Sequence, residues 1–295
     1  MHEIDYKPFL EQQRLPDSYI HNTETWFYPI AKDLAEKHTQ NNHPLIIGIN
    51  GAQGSGKSTL GALLVYLFNE AFNLNAISLS IDDFYHTKAK RNELAEQIHP
   101  LMATRGAPGT HDLSLAHKTI DDLLAQKIPV TIPRFNKATD DRHEEENWDV
   151  VTHPVDIIIL EGWCVGAHAV PNDELINPIN ELESHSDPEG IWRQFVNTEL
   201  ADDYTDLFNR IDSMIMLKAP SFDCVYNWRC EQEHKLRQSL IDPNQAMNDE
   251  QVLHFIQHYQ RITQNILKTL PSQVDYLLEL NTNREITKSV YAGEK

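Results

Sequence analysis

The stretch Gly48–Thr59, GINGAQGSGKST, constrains the fold more than any other part of the chain. Gly51, Gly56, Lys57 and Ser58 satisfy G-x-x-x-x-G-K-[ST], the pattern of a loop that turns its backbone N–H groups onto a nucleotide's phosphates. The loop follows PLIIGIN, an apolar run suited to a buried strand. It precedes KSTLGALLVYLFNEAF, where Leu60, Leu63, Leu64, Leu67, Phe68 and Phe72 recur at helical spacing on one face. Strand, loop and helix in that order place phosphates at a helix N-terminus, where unpaired N–H groups and the helix dipole favour anions. The expected ATP-binding residues of the loop are Gly51, Ala52, Gln53, Gly54, Ser55, Gly56, Lys57, Ser58 and Thr59.

Downstream, strand and helix patterns alternate: strands over 45–50, 76–82, 156–161, 213–218 and 274–280, and helices over 57–72, 113–127, 191–209, 221–240 and 248–269. Such alternation implies an α/β chain of the P-loop NTPase fold, a parallel β-sheet with helices on both faces. Residues 44–295 are read as one domain because its motifs interlock. Residues 1–43, polar with Tyr19, Trp26, Phe27 and Tyr28 scattered among them, are read as an N-terminal helical extension packed beside the first strand. Residues 167–190 carry three prolines and suit an irregular surface insertion rimming the site, and the acidic run DDRHEEENWD suits a solvated loop.

Lys and Arg number 25 against 44 Asp and Glu, a net charge of −19 that argues against a nucleic-acid or anionic-membrane surface. Three cysteines, Cys164, Cys224 and Cys230, without C-x-x-C pairing suit a reduced cytoplasmic protein. No apolar run reaches membrane-spanning length and no signal-peptide h-region opens the chain.

A phosphate loop is shared by kinases, GTPases and motors, so the acidic residues discriminate. VDIIILEGW sets Glu161 at the carboxyl end of a strand apolar enough to be central, placed to hold Mg²⁺ with the Ser58 hydroxyl. AISLSIDDFY brings Asp82 and Asp83 to the same sheet edge. A kinase needs a carboxylate there to orient the acceptor hydroxyl and take its proton, and on an extended chain at most one of two adjacent residues would face the phosphates. NKATD at Asn136–Asp140 misses the guanine-binding N-K-x-D by one residue, and no D-x-x-G switch directly follows the β-strand at Asp156, which disfavours a GTPase. Basic residues gather at the motifs: Arg105 in TRGAPGTHD, Arg134 and Lys137 in IPRFNKA, and Arg229, Lys235 and Arg237 in NWRCEQEHKLR. Arg229, Glu233 and Arg237 recur every four residues, as either a surface ion-pair ladder or a lid helix closing over ATP. His254 and His258 share that spacing and read as exposed helix histidines rather than metal ligands.

Together GAQGSGKST, SIDDFY, RGAPGTHD, PRFNKA, LEGWCVG and WRCEQEHKLR resemble the D-glycerate 3-kinase family, among the P-loop kinases that include uridine kinase, phosphoribulokinase and pantothenate kinase. The resemblance covers residues 45 to about 285. It implies transfer of the ATP γ-phosphate to a hydroxyl of a small acid, with ATP and Mg²⁺ as cofactors. Asp82 would be the base, with Lys57 and Glu161 also catalytic, Asp83 assisting metal or substrate, and Ser58, Asp82 and Glu161 around the metal. Arg229 and Arg237 match the arginines of a helical lid over 221–240. The acceptor's carboxylate is assigned to Arg105 or Arg134 with help from Lys137 or His111. Asn136 stands where the family carries an acid. Other acceptors (a nucleoside, pantothenate or a sugar phosphate) and a non-catalytic ATP-binding regulator are the competing readings.

Overall fold

The computed structural model describes residues 4–41, 43–239 and 246–292. Residue 240 of the expected lid helix, residues 1–3 and 42 of the expected extension, and residues 293–295 lie outside it. Among the described residues the strands follow one another as β1 (Leu45–Gly51), β2 (Ala76–Ser80), β3 (Val130–Ile132), β4 (Phe135–Asn136), β5 (Asp141–Arg142), β6 (Asp149–Val151), β7 (Ile157–Gly162), β8 (Ser213–Lys218), β9 (Tyr276–Leu280) and β10 (Ile286–Tyr291). The helices are α1 (Lys7–Gln13), α2 (Tyr19–Asn22), α3 (Tyr28–Asn41), α4 (Lys57–Phe72), α5 (Lys88–Gln97), α6 (Leu113–Leu124), α7 (Glu181–Ser186), α8 (Ile191–Ala201), α9 (Asp203–Phe208), α10 (Phe222–Ser239) and α11 (Asp249–Thr269).

The main sheet runs β10-β9-β8-β1-β7-β2, parallel except for β10, which pairs antiparallel with β9. Alternation along the strands feeds two cores. Ile46, Leu79, Ile158, Leu160, Met214 and Met216 face one, with α6, α8, α9 and α11; Ile47, Ile49, Ile157, Ile159, Ile215 and Leu217 face the other, with α3 and α4. A strand buried on both faces has to be apolar throughout, which is why DIIIL shows no alternation. β1 lies between β7 and β8, and β7 between β1 and β2, so the carboxyl ends of β1, β7 and β2 are adjacent. Ligands in open α/β sheets bind beyond such ends. No helix among the described residues is long and apolar enough to cross a membrane.

Several expected elements differ. The sheet is parallel only up to its antiparallel edge strand β10, which the alternation of strands and helices did not signal. The expected strand 76–82 stops at Ser80 and turns into a 3₁₀ segment, Ile81–Phe84. The helix expected over 113–127 ends at Leu124, and Gln126 takes φ 54°. The helix expected over 191–209 breaks at Asp202, whose φ −100° and ψ −111° leave helical space between α8 and α9. The N-terminal residues form α1, α2 and α3, the last two joined through a π-helical stretch Thr23–Phe27, and α1 and α3 pack on α4.

Two segments read as irregular are partly ordered by ion pairs. In 167–190, α7 brings Glu183 to Arg261 (2.6 Å), and the buried Asp187 pairs with Arg193 (2.9 Å). The acidic run contributes β5 and the first residue of β6; its Arg142 donates to the Tyr85 carbonyl (2.9 Å) and to Asp112 (3.1 Å).

Candidate active site

The loop between β1 and α4 adopts the geometry its glycines allow. Gly54 has φ 79°, and a Cβ there would stand 2.7 Å from Trp228 Cβ, so α10 packs directly on the loop. Gly56 caps α4 at φ 95° with open space where a Cβ would point. Ser58 Oγ donates to Glu161 Oε1 at 2.9 Å, and Lys57 Nζ lies 3.9 Å from Glu161 Oε2. Glu161 is buried at the end of β7, and its Oε2 accepts no hydrogen bond. Asn50, at the end of β1, donates to the carbonyls of Trp163 (3.1 Å) and Val165 (2.8 Å), tying the loop's root to the chain after Glu161.

Asp82 and Asp83 lie on the 3₁₀ turn after β2, and this corrects the geometry expected for an extended chain. Because the backbone coils there, both carboxylates reach the segment 134–137. Lys137 Nζ donates to Asp82 Oδ2 at 2.6 Å and the Tyr85 hydroxyl to Oδ1 at 3.0 Å. Asp83 accepts from Arg134 Nη1 (2.7 Å) and from the Phe135 N–H (3.1 Å). Burial opposes ionisation of Asp82, but the ammoniums of Lys137 and Lys57 outweigh it and hold the carboxyl below its ordinary range. Burial pushes Asp83 up despite the Arg134 guanidinium.

The remaining expected residues divide. Arg134 bridges Asp83 and Asp149 (2.7 Å each), not the neighbouring Asp140 or Asp141. Arg105 pairs with Asp140 and lies over the Phe135 ring, and the fully buried Arg91 grips the same Asp140 at 3.0 Å. Lys137 stands on the β4–β5 hairpin, where Asn136 Oδ1 accepts from the Ala138 and Thr139 N–H groups; the near-match NKATD is thus a side-chain-capped turn. His111 is buried, stacked on Tyr85 at 4.4 Å with its Nδ1 2.5 Å from the Tyr204 hydroxyl. On α10, Arg229 follows Trp228, pairs with the buried Glu233 and lies over Phe255, while Arg237 donates to the Met247 carbonyl (2.8 Å). His254 is exposed, but His258 is not: it packs against Trp192 on α8.

Among the described residues, eight buried side-chain polar atoms have no hydrogen-bond partner, and five belong to Gln53, Ser55, His111, Glu161 and Arg229. Buried polar atoms without partners cost free energy, and these five lie in or beside the candidate site. Sequence patterns did not single out Asn50, Tyr85, Arg91 or Tyr204. Tyr85 sits inside a quoted motif, but Tyr204 meets His111 across 93 residues and no local spacing reports that.

A sequence model of the Phosphoribulokinase / Uridine kinase family matches residues 46–177. The uncharacterized kinase mug58 of Schizosaccharomyces pombe is 34% identical over 256 residues, covering 83% of this chain and 89% of its own length. The chloroplastic D-glycerate 3-kinase of Arabidopsis thaliana is 32% identical over 77% of this chain, a match that spans about half (48%) of that protein. A solved structure of D-glycerate 3-kinase from Cryptococcus neoformans is similar with TM-score 0.74 and 25% identity, over 90% of this chain and 97% of its own.

Proposed function

Because the chain belongs to the Phosphoribulokinase / Uridine kinase family of P-loop kinases, we propose that it transfers the γ-phosphoryl group of ATP to a hydroxyl of a small hydroxy acid, D-glycerate, in the cytoplasm. The observation that carries this reading is the convergence of Lys57, Ser58, Glu161, Asp82 and Lys137 at three adjacent strand ends. The loop N–H groups and Lys57 hold the nucleotide phosphates. Ser58 and Glu161 fit a hard cation: one carboxylate oxygen is orphaned and the other already meets the hydroxyl, and Mg²⁺ takes one or two carboxylates plus phosphate oxygens. Held by Ser58 and Glu161, such a cation would neutralise charge on the transferring group. Both oxygens of Asp82 already accept hydrogen bonds, so Asp82 is assigned to the acceptor rather than to the metal.

Kept ionised by Lys137 and Lys57, Asp82 orients the acceptor hydroxyl. A carboxylate this acidic takes the proton only as the new P–O bond forms, which suits a loose transition state. Bringing an acceptor carboxylate beside a triphosphate in a chain of net charge −19 is costly unless fixed cations compensate. Lys137 at Asp82, Arg134 at Asp83 and Arg105 over the Phe135 ring supply that charge, and the carboxylates that Arg134 and Arg105 hold keep their guanidinium forks oriented. The D-glycerate 3-kinase relatives support the choice of acceptor.

The test is a panel of hydroxy acids, nucleosides and sugars incubated with ATP and Mg²⁺, with products weighed by mass spectrometry. Phosphoglycerate forming with the unaltered protein and not with Lys57→Ala supports the proposal; a product from another acceptor alone refutes the choice of acid.

A further inference from the structure

His111 carries information about the acceptor that its position alone does not. The Tyr204 oxygen accepts the Gly109 N–H at 3.0 Å and lies 2.5 Å from His111 Nδ1, with both side chains buried. Burial holds the Tyr204 phenol well above its ordinary range, so it keeps its proton. If Nδ1 carried the imidazole proton, it would donate to the Tyr204 oxygen, leaving the phenol proton and the Nε2 lone pair both unpaired. If the phenol donates to Nδ1, one group is left: an N–H on Nε2, which is buried and without a partner. Each unmade buried hydrogen bond is unfavourable, so the second arrangement wins. Burial also pushes the imidazole down to about 3, so the ring is neutral.

The His111 ring sits beside the chemistry. His111 stacks on Tyr85, whose hydroxyl holds Asp82, and backbone bonds from His86 to Thr110 (2.9 Å) and from Asp112 to Phe84 (2.7 Å) fix His111 against the turn that carries Asp82 and Asp83. We propose that His111, fixed as its Nε2–H tautomer by Tyr204 and Gly109, is a specificity-determining residue that donates this N–H to an oxygen of the acceptor. Tyr204 is the positioning residue. The inference rests on the kinase reading above and sharpens it: the acceptor must present a carboxylate or hydroxyl oxygen, not an amine or methyl group, to Nε2. A neutral donor suits this place because it recognises an anion without adding a titratable charge next to Asp82.

Two measurements test it. Long-range ¹H–¹⁵N correlation on the labelled full chain reads the tautomer directly: a proton on Nε2 of His111 and none on Nδ1 is expected, with the Nε2–H resonance moving when D-glycerate is added. Tyr204→Phe should leave His111 a mixture of tautomers. In steady-state kinetics, His111→Phe keeps the stack on Tyr85 but removes the donor, and should raise KM for D-glycerate roughly 10- to 100-fold with KM for ATP nearly unaltered. His111→Gln, whose amide N–H can replace Nε2–H, should recover most of the loss. A proton on Nδ1, a resonance that ignores the acceptor, or an unaltered KM in folded His111→Phe overturns the inference. Failure of the acceptor assignment looks different: the unaltered protein does not turn over D-glycerate, and the acceptor it does phosphorylate replaces D-glycerate in both assays.

Discussion

Asp82 already accepts from Lys137 and Tyr85, and this pairing sets how each residue of the edge should respond to change. Asp82→Asn keeps the shape but loses the proton acceptor, so kcat should fall roughly 10²- to 10⁴-fold with ATP affinity within a few fold. Asp83→Asn loosens the grip on Arg134 and should act more mildly, mainly on KM for the acceptor; the opposite ranking in steady-state kinetics would reverse the two roles. Lys137→Ala tests the electrostatics. With Lys137 present, Asp82 stays ionised through the usual carboxylate range and should impose no acid limb there. Without it, only Lys57 and the weaker partners oppose the burial of Asp82 and its pKa rises, so kcat should begin to decline at a higher pH than in the unaltered protein. Superposable pH profiles would contradict this. Lys57, Ser58, Glu161 and Asp82 stand out in the sequence because each lies in a contiguous motif, at a strand end or in the turn or helix that directly follows one. Asn50, Arg91 and Tyr204 act across long sequence separations and left no pattern.

Helix α10 meets the phosphate loop through the contact of Trp228 with Gly54. Gly54→Ala would place a Cβ 2.7 Å from Trp228 Cβ at a φ of 79° that L side chains disfavour. A cost of about 1–3 kcal/mol is expected, seen as a fall in Tm of several degrees together with weaker ATP binding by calorimetry. Unchanged Tm and affinity would show that α10 does not depend on the loop. The long elements were readable because the 3.6-residue apolar period of α4 and the unbroken apolar run of β7 follow directly from one-sided and two-sided burial. β3, β4, β5 and β6 have only two or three residues each, too few to show a period. The break at Asp202 has no Gly or Pro to announce it, and the polar α5 reveals itself mainly through its Thr87 cap (3.3 Å to the Lys90 N–H).

At the scale of the whole molecule, stability and function draw on different parts of one α/β fold. His258 lies in the core beneath α8, where burial lowers its pKa to about 4, with His254 adding to the shift and the Phe255 carbonyl opposing it. The unfolded chain, with an ordinary value near 6.5, binds that proton more readily. The contribution of His258 is therefore complete above about pH 6.5 and is lost as pH falls towards 4, amounting to about 3 kcal/mol in all. Urea midpoints across that window should fall less steeply for His258→Phe than for the unaltered protein, whatever their offset at pH 7; parallel curves would exclude His258 as a source of acid sensitivity. At the carboxyl ends of β1, β7 and β2, charge on a fixed scaffold is proposed to direct a phosphoryl group to a hydroxy acid. ³¹P NMR of the protein with ATP, Mg²⁺ and either D-glycerate or glycerol tests it most directly. The γ-phosphate signal should convert one for one into a phosphomonoester with D-glycerate, far more slowly with glycerol, and with a raised KM for D-glycerate in Arg134→Ala. Release of inorganic phosphate alone, or equal ester formation on glycerol, would contradict it.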